Sequence, residues 1–415
     1  MTGIIVNPSM MCAPFRGLRY AEPGALGTRL APPYDVIDTE QRRALTRQDP
    51  CNIVQVDLPI PAAGDDPYDN AAAILASWQR RGVLVREKEP CAYVLRTTSR
   101  GSGGKERSRT GVFLAIAAVP FAPGSRVRPH EQTHSGPKED RRRLTLATGC
   151  NLSPVFLLCP DSRGDLASAI AAATAETPWA TCEALGGRHQ VWIVPTKPAL
   201  RIAMLISDEP VYIADGHHRY ETAVRLKDEA PKPWRDGAQR TLAHLVSFRD
   251  PGLEILATHR IVEGKPLPRA EVLRAASPFF GRAQEGERPT LTVVFADGSA
   301  APMVIRPEAT LSAIPGLPDK APARHLSVAL ADAVFIRTVV GSVIGAEPKL
   351  RYTPDEAEAR KAAKSGAALS VLLSPTTLEE VKAVSDAGQF MPPKSTFFAP
   401  KVPTGVVMRL LEGEV

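Results

Sequence analysis

The chain has few of the features that mark specialised classes of protein. Aromatic residues make up only 6% of its 415 residues, and they do not alternate with basic residues in the pattern that stacks single-stranded nucleic acid. The excess of six positive charges is small for this length and suits an anionic small molecule as well as nucleic acid. The sequence therefore does not favour a nucleic-acid partner.

Cysteines and long apolar runs are also scarce. The six cysteines include no C-x-x-C pair and are too sparse for a disulfide framework, so we expect reduced thiols in a cytoplasmic protein. No run of 18 consecutive apolar residues occurs, and no basic stretch followed by a long apolar core opens the chain. Export and membrane insertion are not expected, and the length fits two or three globular domains.

The common nucleotide-binding motifs are absent. Neither G-x-x-x-x-G-K-[ST] nor G-x-G-x-x-G occurs in its required context, and no internal repeat is visible. A phosphate site in this chain must therefore be built from other residues.

The most informative stretch is residues 211–223, VYIADGHHRYETA. Its first three residues are typical of a buried strand, and residues 221–227 continue with helix formers. The turn at residues 215–219 would lie at the start of the helix, where free backbone N–H groups and the helix dipole favour bound anions. The pattern predicts a phosphate site.

Each residue of this turn has chemistry suited to that site. Gly216 allows close approach of a ligand to the backbone, and Arg219 can bind two phosphate oxygens. Asp215 can coordinate a metal ion, accept a hydrogen bond from a hydroxyl or bind a proton. His217 and His218 add two imidazoles. A plain helix cap with two half-exposed histidines is the alternative; the density of these residues after a strand favours the functional interpretation.

A second polar stretch, residues 130–134 (HEQTH), must be solvated or line a site. In a site that holds phosphate, Glu131 could take the proton of an attacking hydroxyl, with His130 beside the phosphate. A solvated loop with a capping turn is the alternative. His130 and His134 are spaced as zinc ligands can be, but Pro129 disfavours a helix there and no third ligand follows, so zinc is not favoured.

Two proline-stiffened segments and one strand end carry further candidates. In APPYDVI, Pro32 and Pro33 fix an extended backbone that would present Tyr34 and Asp35 to a substrate, or would form a strut between domains. Arg260, in a His-Arg pair at the end of a predicted strand, is a third candidate for substrate binding; a plain exposed strand end is the alternative.

Near the C-terminus, residues 391–401 read MPPKSTFFAPK. Lys394, Ser395, Thr396 and Lys401 are residue types that bind phosphate or carboxylate oxygens. We predict that the first three bind phosphate; a plain surface segment is the alternative.

Hydrophobic periodicity predicts the main elements. Predicted helices include residues 39–45 with Asp38 or Thr39 as cap, 68–81, 165–176, 199–206, 269–276 and 326–344. Predicted strands include residues 52–58, 91–97, 153–159, 190–194, 211–213 and 369–373.

These motifs together resemble the bacterial and archaeal domain-of-unknown-function 1015 (DUF1015) family. The motifs PFRGLRY, APPYDVI, RPHEQT with KEDRRRL, YIADGHHRYETA, THR and MPPKSTFFAPK occur in the family's order and span the chain. A narrower likeness is to the ParB and sulfiredoxin superfamily, in which a strand ending in Pro-His-Glu precedes a second strand that opens a helix over nucleotide phosphates. Within it, the free serine kinases share the Asp-Gly-His-His-Arg form. This chain departs by about 80 residues between the two motifs and by large terminal additions.

The resemblance implies an α+β fold with a ParB/sulfiredoxin-like mixed α/β core. We expect an N-terminal α+β region at residues 1–125, the core at residues 126–265, and a C-terminal α+β region at residues 266–415.

The resemblance also implies roles for individual residues. Glu131 would be the base, Asp215 the metal ligand or second acid/base group, and Gly216, His218 and Arg219 part of the phosphate cradle. We assign His217 to catalysis as well as to the cradle.

The expected function is a cytoplasmic phosphotransferase that uses Mg²⁺ with ATP or ADP and a small hydroxylated metabolite, serine being the best guess. A phosphatase acting on a phosphoserine-like substrate and a nucleotide-binding switch without turnover are the alternatives. A homo-oligomer stays an open alternative, and no membrane partner is expected.

Overall fold

The computed structural model of the chain describes residues 10–61, 64, 66–122, 124–132, 135–207, 209–307, 311 and 314–413. It has mixed α/β structure in two compact units. The first unit comprises residues 1–128, 133–254 and 400–415, and the second comprises residues 129–132 and 255–399. Residues 129–132 therefore belong to the second unit, although the chain on both sides of them belongs to the first.

The first unit is built on a large mixed sheet. Its described strands are β1 (Cys12–Ala13), β2 (Leu18–Tyr20), β3 (Leu84–Arg86), β4 (Ala92–Arg100), β5 (Glu106–Ala117), β6 (Val127–Arg128), β7 (Cys150–Asn151), β8 (Val155–Cys159), β9 (Ala180–Ala184), β10 (Gly187–Val194), β11 (Val211–Asp215) and β12 (Arg240–Ser247). Nine of these strands share one sheet in the order β6-β11-β8-β12-β5-β4-β10-β9, with β1 beside β5. Only β6 with β11 and β8 with β12 run parallel among the described pairs of this sheet.

Helices pack on one face of this sheet. The described helices of the unit are α1 (Leu26–Arg29), α2 (Thr39–Gln48), α3 (Val54–Asp57), α4 (Pro67–Arg80), α5 (Ser135–Thr148), α6 (Asp165–Ala173), α7 (Thr196–Ser207), α8 (His217–Glu229) and α9 (Arg235–Ala238), with short 3-10 turns at Pro23–Ala25, Tyr34–Val36 and Lys232–Trp234. Val112, Leu114 and Ile116 alternate along β5 into a buried cluster that includes Ile202 of α7 and Tyr220 of α8.

A β-bulge near the end of β11 decides which face carries Asp215. Tyr212 pairs with Leu158, and the register shifts before Asp215, which pairs with Phe156. Because Leu158 and Phe156 lie two residues apart on β8, they share a face, and so do their partners. The bulge therefore moves Asp215 off the apolar face that holds Ile213.

The second unit contains a six-stranded antiparallel sheet in the order β15-β17-β16-β19-β14-β18. Its strands are β13 (Glu254–Leu256, which starts at the last residue of the first unit), β14 (His259–Val262), β15 (Phe280–Arg282), β16 (Leu291–Val294), β17 (Ala300–Ile305), β18 (Leu350–Thr353), β19 (Leu369–Leu372) and β20 (Phe397–Ala399). Its helices are α10 (Arg269–Ala276), α11 (Ser327–Ala329), a π-helical stretch (Leu330–Val340), α12 (Gly341–Ile344), α13 (Glu356–Lys364) and α14 (Leu378–Asp386), with a 3-10 turn at Ala323–His325. A last strand of the first unit, β21 (Arg409–Leu410), pairs with β7.

The continuous helix Ser327–Ile344 is, among the described residues, the single helix long and apolar enough to cross a membrane. The protein itself buries 61% of it, as is typical of a core helix.

Several predicted elements are confirmed, and one strand is wrong. Helix α2 begins after Asp38, which accepts a hydrogen bond from the backbone N–H of Gln41 (2.8 Å) in a capping box. Residues 52–58, predicted as a strand, instead contain the helical turn α3, because Asn52 accepts from the backbone N–H of Val54. Three apolar residues of this segment are buried in or next to the helical turn. The alternation of apolar residues in the sequence therefore did not indicate one face of a strand.

Strands from both sides of the predicted boundary at residues 125 and 126 lie in one sheet. Residues 112–117 of strand β5, from the predicted N-terminal region, pair with β12, from the predicted core. Both regions therefore share one sheet, since the β4–β5 hairpin is inserted between β12 and β10.

Arg260 forms a buried ion pair in the second unit. Its Nε and Nη2 donate to the two oxygens of Asp332 (2.8 and 3.0 Å), and its Nη1 donates to the carbonyl of Thr258. The Arg260 side chain has no exposed surface. Its contacts give Arg260 a structural role in place of the predicted substrate contact.

We expect Asp332→Ala to lower the free energy of unfolding by about 3–5 kcal/mol, because it leaves the Arg260 charge buried and unpaired. Urea denaturation followed by circular dichroism measures the loss. Glu356→Ala, which removes an exposed pair with Arg360, is the matched control and should cost under about 1 kcal/mol. Equal losses in the two variants would contradict a structural role for the buried pair.

Candidate functional site

The strand, turn and helix predicted around residues 211–223 are confirmed. Strand β11 ends at Asp215 and α8 begins at His217, with Gly216 between them at φ 90° and ψ 30°. Glycine enters this left-handed region without the penalty that a Cβ atom brings. The abrupt turn leaves the first backbone N–H groups of α8 at the end of the strand, next to the Asp215 carboxylate.

Two cations clamp the Asp215 carboxylate. Lys401 Nζ donates to Oδ1 (3.0 Å), and Arg219 Nη2 donates to Oδ2 (2.7 Å). Burial alone would raise the pKa of Asp215, but the charges of Lys401 and Arg219, with a smaller effect of His217, hold it well below its ordinary value. Asp215 is therefore ionised at any physiological pH.

Arg219 is held in place from both sides. Besides its bond to Asp215, it donates from Nη1 to the carbonyl of Pro154, just before β8. A guanidinium fixed in this way loses little conformational entropy when it binds an anion. Arg219 is therefore preorganised.

A second, more deeply buried ion pair lies near Arg219. Arg141 Nη1 donates to the Asp57 side chain (3.0 Å) and to its backbone carbonyl (2.9 Å). Burial raises the pKa of Asp57, while the charges of Arg141 and Arg219 oppose that rise. A cavity of about 40 Å³ is lined by these three side chains together with residues of α5 and α8.

Tyr34 belongs to the same surroundings. Its ring lies 3.9 Å from the Arg141 guanidinium, in a cation–π contact. Burial raises the pKa of Tyr34, and the charges of Arg219 and Arg141 lower it. Asp35, the neighbour of Tyr34, is exposed.

The two histidines lie in the first turn of α8. His217 is buried and acts electrostatically on Asp215, and His218 is partly exposed. The first unit thus brings together Tyr34 and every predicted residue of the turn: Asp215, Gly216, His217, His218 and Arg219.

The second unit groups four other predicted residues. Glu131 Oε1 accepts from the backbone N–H of Lys394 (3.2 Å), and His130 Nε2 is 3.0 Å from Thr396 Oγ1. A parallel bridge between Glu131 and Met391 joins the two segments. Lys394 adopts a left-handed conformation at φ 59° and is exposed.

Ser395 differs from its neighbours. Its side chain is buried and donates to the carbonyl of Pro392 (2.5 Å), while its own carbonyl accepts from Thr376 (3.0 Å). These bonds fix the turn, so Ser395 stabilises the segment instead of presenting a hydroxyl to phosphate as predicted. His134, the second histidine considered for zinc, lies outside the described residues.

The described residues include no group of three or more His, Cys, Asp or Glu side chains that could hold a metal ion. Asp215 is the acidic group of the turn, and its bonds to Lys401 and Arg219 use two of its roughly four lone-pair sites. It can therefore serve as one ligand of a cation that is held mainly by other groups.

Sequence reasoning missed three contributors. Lys401 was noted as a phosphate-binding type, but its partner Asp215 is 186 residues away. Arg141 lies in the KEDRRRL motif, whose charges look solvated in sequence, and Asp57 lies in the segment mistaken for a strand. No local pattern signals these long-range pairs.

Comparison with known proteins gives one family and several distant structures. The profile of the family described as "Protein of unknown function (DUF1015)" matches residues 12–329. No curated protein sequence matches the chain.

The solved structures that the comparison finds are distant from this chain. They include a free serine kinase variant in complex with ADP (15% identity, TM-score 0.37, covering 71% of this chain and 92% of that one), a conserved hypothetical protein from Pyrococcus furiosus (15%, 0.37, 72% and 95%) and C-terminally truncated SbnI from Staphylococcus aureus (10%, 0.38, 72% and 87%).

Gly216→Ala should destabilise the protein by about 1–2 kcal/mol, because alanine is strained at positive φ. Its Cβ would also lie 2.9 Å from Arg219 Nε and displace the guanidinium. Thermal unfolding measures the stability loss. Gly103→Ala is the control, since its Cβ would meet no atom within 4 Å. If both variants unfold at the wild-type temperature, the left-handed turn is not required.

Acidification should weaken the Asp215 clamp. A carboxyl whose folded pKa lies below its unfolded value stabilises the protein above the unfolded pKa, near 3.9, and loses that contribution as pH falls through and below it. The difference in melting temperature between wild type and Asp215→Asn should therefore be largest near pH 7 and shrink below about pH 4. A difference that stays constant across this range would exclude the clamp as its source.

Proposed function

Because the chain belongs to the DUF1015 family, whose description names no activity, we propose a function from its own site: a phosphotransferase that moves a phosphoryl group between ATP or ADP and a small hydroxylated metabolite. The observation that carries this proposal is the clamped carboxylate at the start of α8, where Lys401 and Arg219 meet Asp215. The β11–α8 core is proposed to be of the ParB/sulfiredoxin type, and the protein to work in the cytoplasm.

The charges of the turn suit a phosphate group. Two cations bond one carboxylate, so one positive charge remains, and the N-terminus of α8 adds the equivalent of about half a charge. Phosphoryl transfer needs mainly positioning and charge neutralisation. Arg219, Lys401 and the first-turn histidines His217 and His218 provide both.

The transfer is proposed to proceed in one displacement. The hydroxyl oxygen of the acceptor attacks the terminal phosphorus, and its proton passes to a general base, the role that the resemblance implies for Glu131. The bond from that phosphorus to the bridging oxygen breaks, and its electron pair leaves with the nucleotide, whose charge Arg219 and Lys401 stabilise. Serine is the best guess for the acceptor.

Mg²⁺ is proposed to accompany the nucleotide. A Mg²⁺ ion on nucleotide phosphates needs only one or two protein carboxylates, and Asp215 would supply one. The ion would neutralise charge on the phosphates.

A direct assay tests this function. The purified full-length protein is incubated with ATP, ADP or CTP, Mg²⁺ and a panel of hydroxylated metabolites that includes serine, and phosphorus NMR follows the products. We expect nucleotide consumption that depends on the acceptor. Glu131→Gln should reduce the rate by about 10²- to 10⁴-fold, the range for loss of a general base.

Matched variants separate catalysis from folding. Asp215→Asn should also lower the rate, whereas Asp228→Asn, at the far end of α8, and Glu285→Gln, on an exposed loop, should not. Phosphate release from phosphoserine without nucleotide would indicate a phosphatase. Tight nucleotide binding without turnover would indicate a switch, and either result would overturn the phosphotransferase.

A further inference from the structure

Arg109 is a buried cation that the proposed chemistry does not yet use. It lies on β5 and is only 2% exposed, and neither Nη1 nor Nη2 has a hydrogen-bond partner among the described residues. The charge of Asp250 attracts Arg109, but the Asp250 oxygens accept from the backbone N–H groups of Thr110 and Gly252 (2.9 Å each), and neither Nη1 nor Nη2 of Arg109 bonds them. Arg109 thus keeps two unused donor nitrogens.

Such a group is costly in a folded protein. A buried charge without a partner is destabilising, and buried guanidinium groups are normally paired. The Phe156 ring, 4.7 Å from the Arg109 guanidinium, offers a cation–π contact that offsets part of this cost but accepts no N–H hydrogen bond of ordinary strength. The planar fork of donors on Arg109 matches the two oxygens of a carboxylate.

The surroundings of Arg109 are also built around a second polar group. His244 is buried between Phe113 and Phe156, with ring centroids 4.6 and 5.7 Å away, and neither of its nitrogens has a partner among the described residues. A Cβ on Gly111 would lie 2.4 Å from the His244 ring, so only glycine leaves room for it. Burial, with the charge of Arg109, lowers the pKa of His244, which is therefore a neutral imidazole with one donor and one acceptor.

This patch lies on the same sheet face as the phosphate turn. Across neighbouring strands, Phe113 pairs with His244, His244 with Phe156, and Phe156 with Asp215. Adjacent strands are about 4.8 Å apart, so the guanidinium over Phe156 is roughly one strand spacing from the strand of Asp215. Burial lowers the pKa of Arg109, and the charges of Asp250 and Asp215 oppose that lowering. A three- or four-carbon hydroxy acid spans a comparable distance.

We infer that Arg109 binds the carboxylate of the acceptor, with Phe156 beneath it and His244 beside it, so that the acceptor's hydroxyl points toward Asp215. The acceptor is then a small hydroxy acid or hydroxy amino acid and not a simple alcohol. This inference rests on the proposed function, which makes the hydroxyl the group that receives the phosphoryl group. Binding of the carboxylate can be measured without turnover.

The test uses Arg109→Met in the full-length protein. Removing an unpaired buried charge should leave the melting temperature of the ligand-free protein unchanged or raise it. Isothermal titration should show binding of L-serine to wild type, weakened by about 10- to 100-fold in the variant, the range for loss of a charge-assisted bidentate contact. Serinol, in which a hydroxymethyl group replaces the carboxylate, should bind both proteins equally weakly.

Arg107→Met, two residues earlier on β5 and exposed, is the matched control and should change neither the melting temperature nor the binding. A melting temperature several degrees lower in Arg109→Met would assign Arg109 to the structure and overturn the inference. Binding of inorganic phosphate that requires Arg109, without binding of L-serine, would also overturn it.

The two proposals fail separately. Arg109-dependent binding of L-serine without turnover by any nucleotide would remove the phosphotransferase but keep the carboxylate subsite. Transfer to serinol at the same kcat/KM as to L-serine would keep the phosphotransferase and remove the subsite.

Discussion

The carboxylate of Asp215 is the point on which the candidate site of the first unit depends. It accepts from a helix residue four positions later, Arg219, and from Lys401 in the C-terminal segment. One anion thus orders two cations that would repel each other without it. A phosphate that enters this turn meets donors already in position.

A second layer of charge surrounds this one. Arg219 acts electrostatically on both Asp57 and Tyr34, and Arg141 bonds Asp57 while stacking on Tyr34. Each buried charge of this layer therefore has an opposite charge or an aromatic ring close to it, as low-dielectric surroundings demand. Arg109 also has the Phe156 ring and the charge of Asp250 close to it, but neither its Nη1 nor its Nη2 has a hydrogen-bond partner among the described residues, which leaves both nitrogens for a ligand.

Local features of the sequence carried most of the correct predictions. The glycine turn, the start of α8 and the cap of α2 each depend on residues within a few positions of one another, so their chemistry can be read along the chain. The turn at α3 was misread because a fully buried segment has no polar face to set its period. In such a segment, alternation of apolar residues does not distinguish a strand from a helical turn.

Long-range pairs could not be read in the same way. The partners of Lys401 and Arg141 lie 186 and 84 residues away, and the fate of Arg260 depended on Asp332 in the middle of an apolar helix. A cation at a strand end looks the same in sequence whether it meets a substrate or a buried carboxylate. Only the folded chain distinguishes the two.

The bulge in β11 makes the spacing of residues as important as their identity. Ala214 is the extra residue between Ile213, which points into the apolar cluster, and Asp215, which lies on the opposite face. If the strand alternated strictly through Ala214, Asp215 would lie on the apolar face with Ile213, even though every charged residue of the motif would still be present. Homologous chains with the same letters but a different count between Tyr212 and Gly216 should therefore not be assumed to share the chemistry.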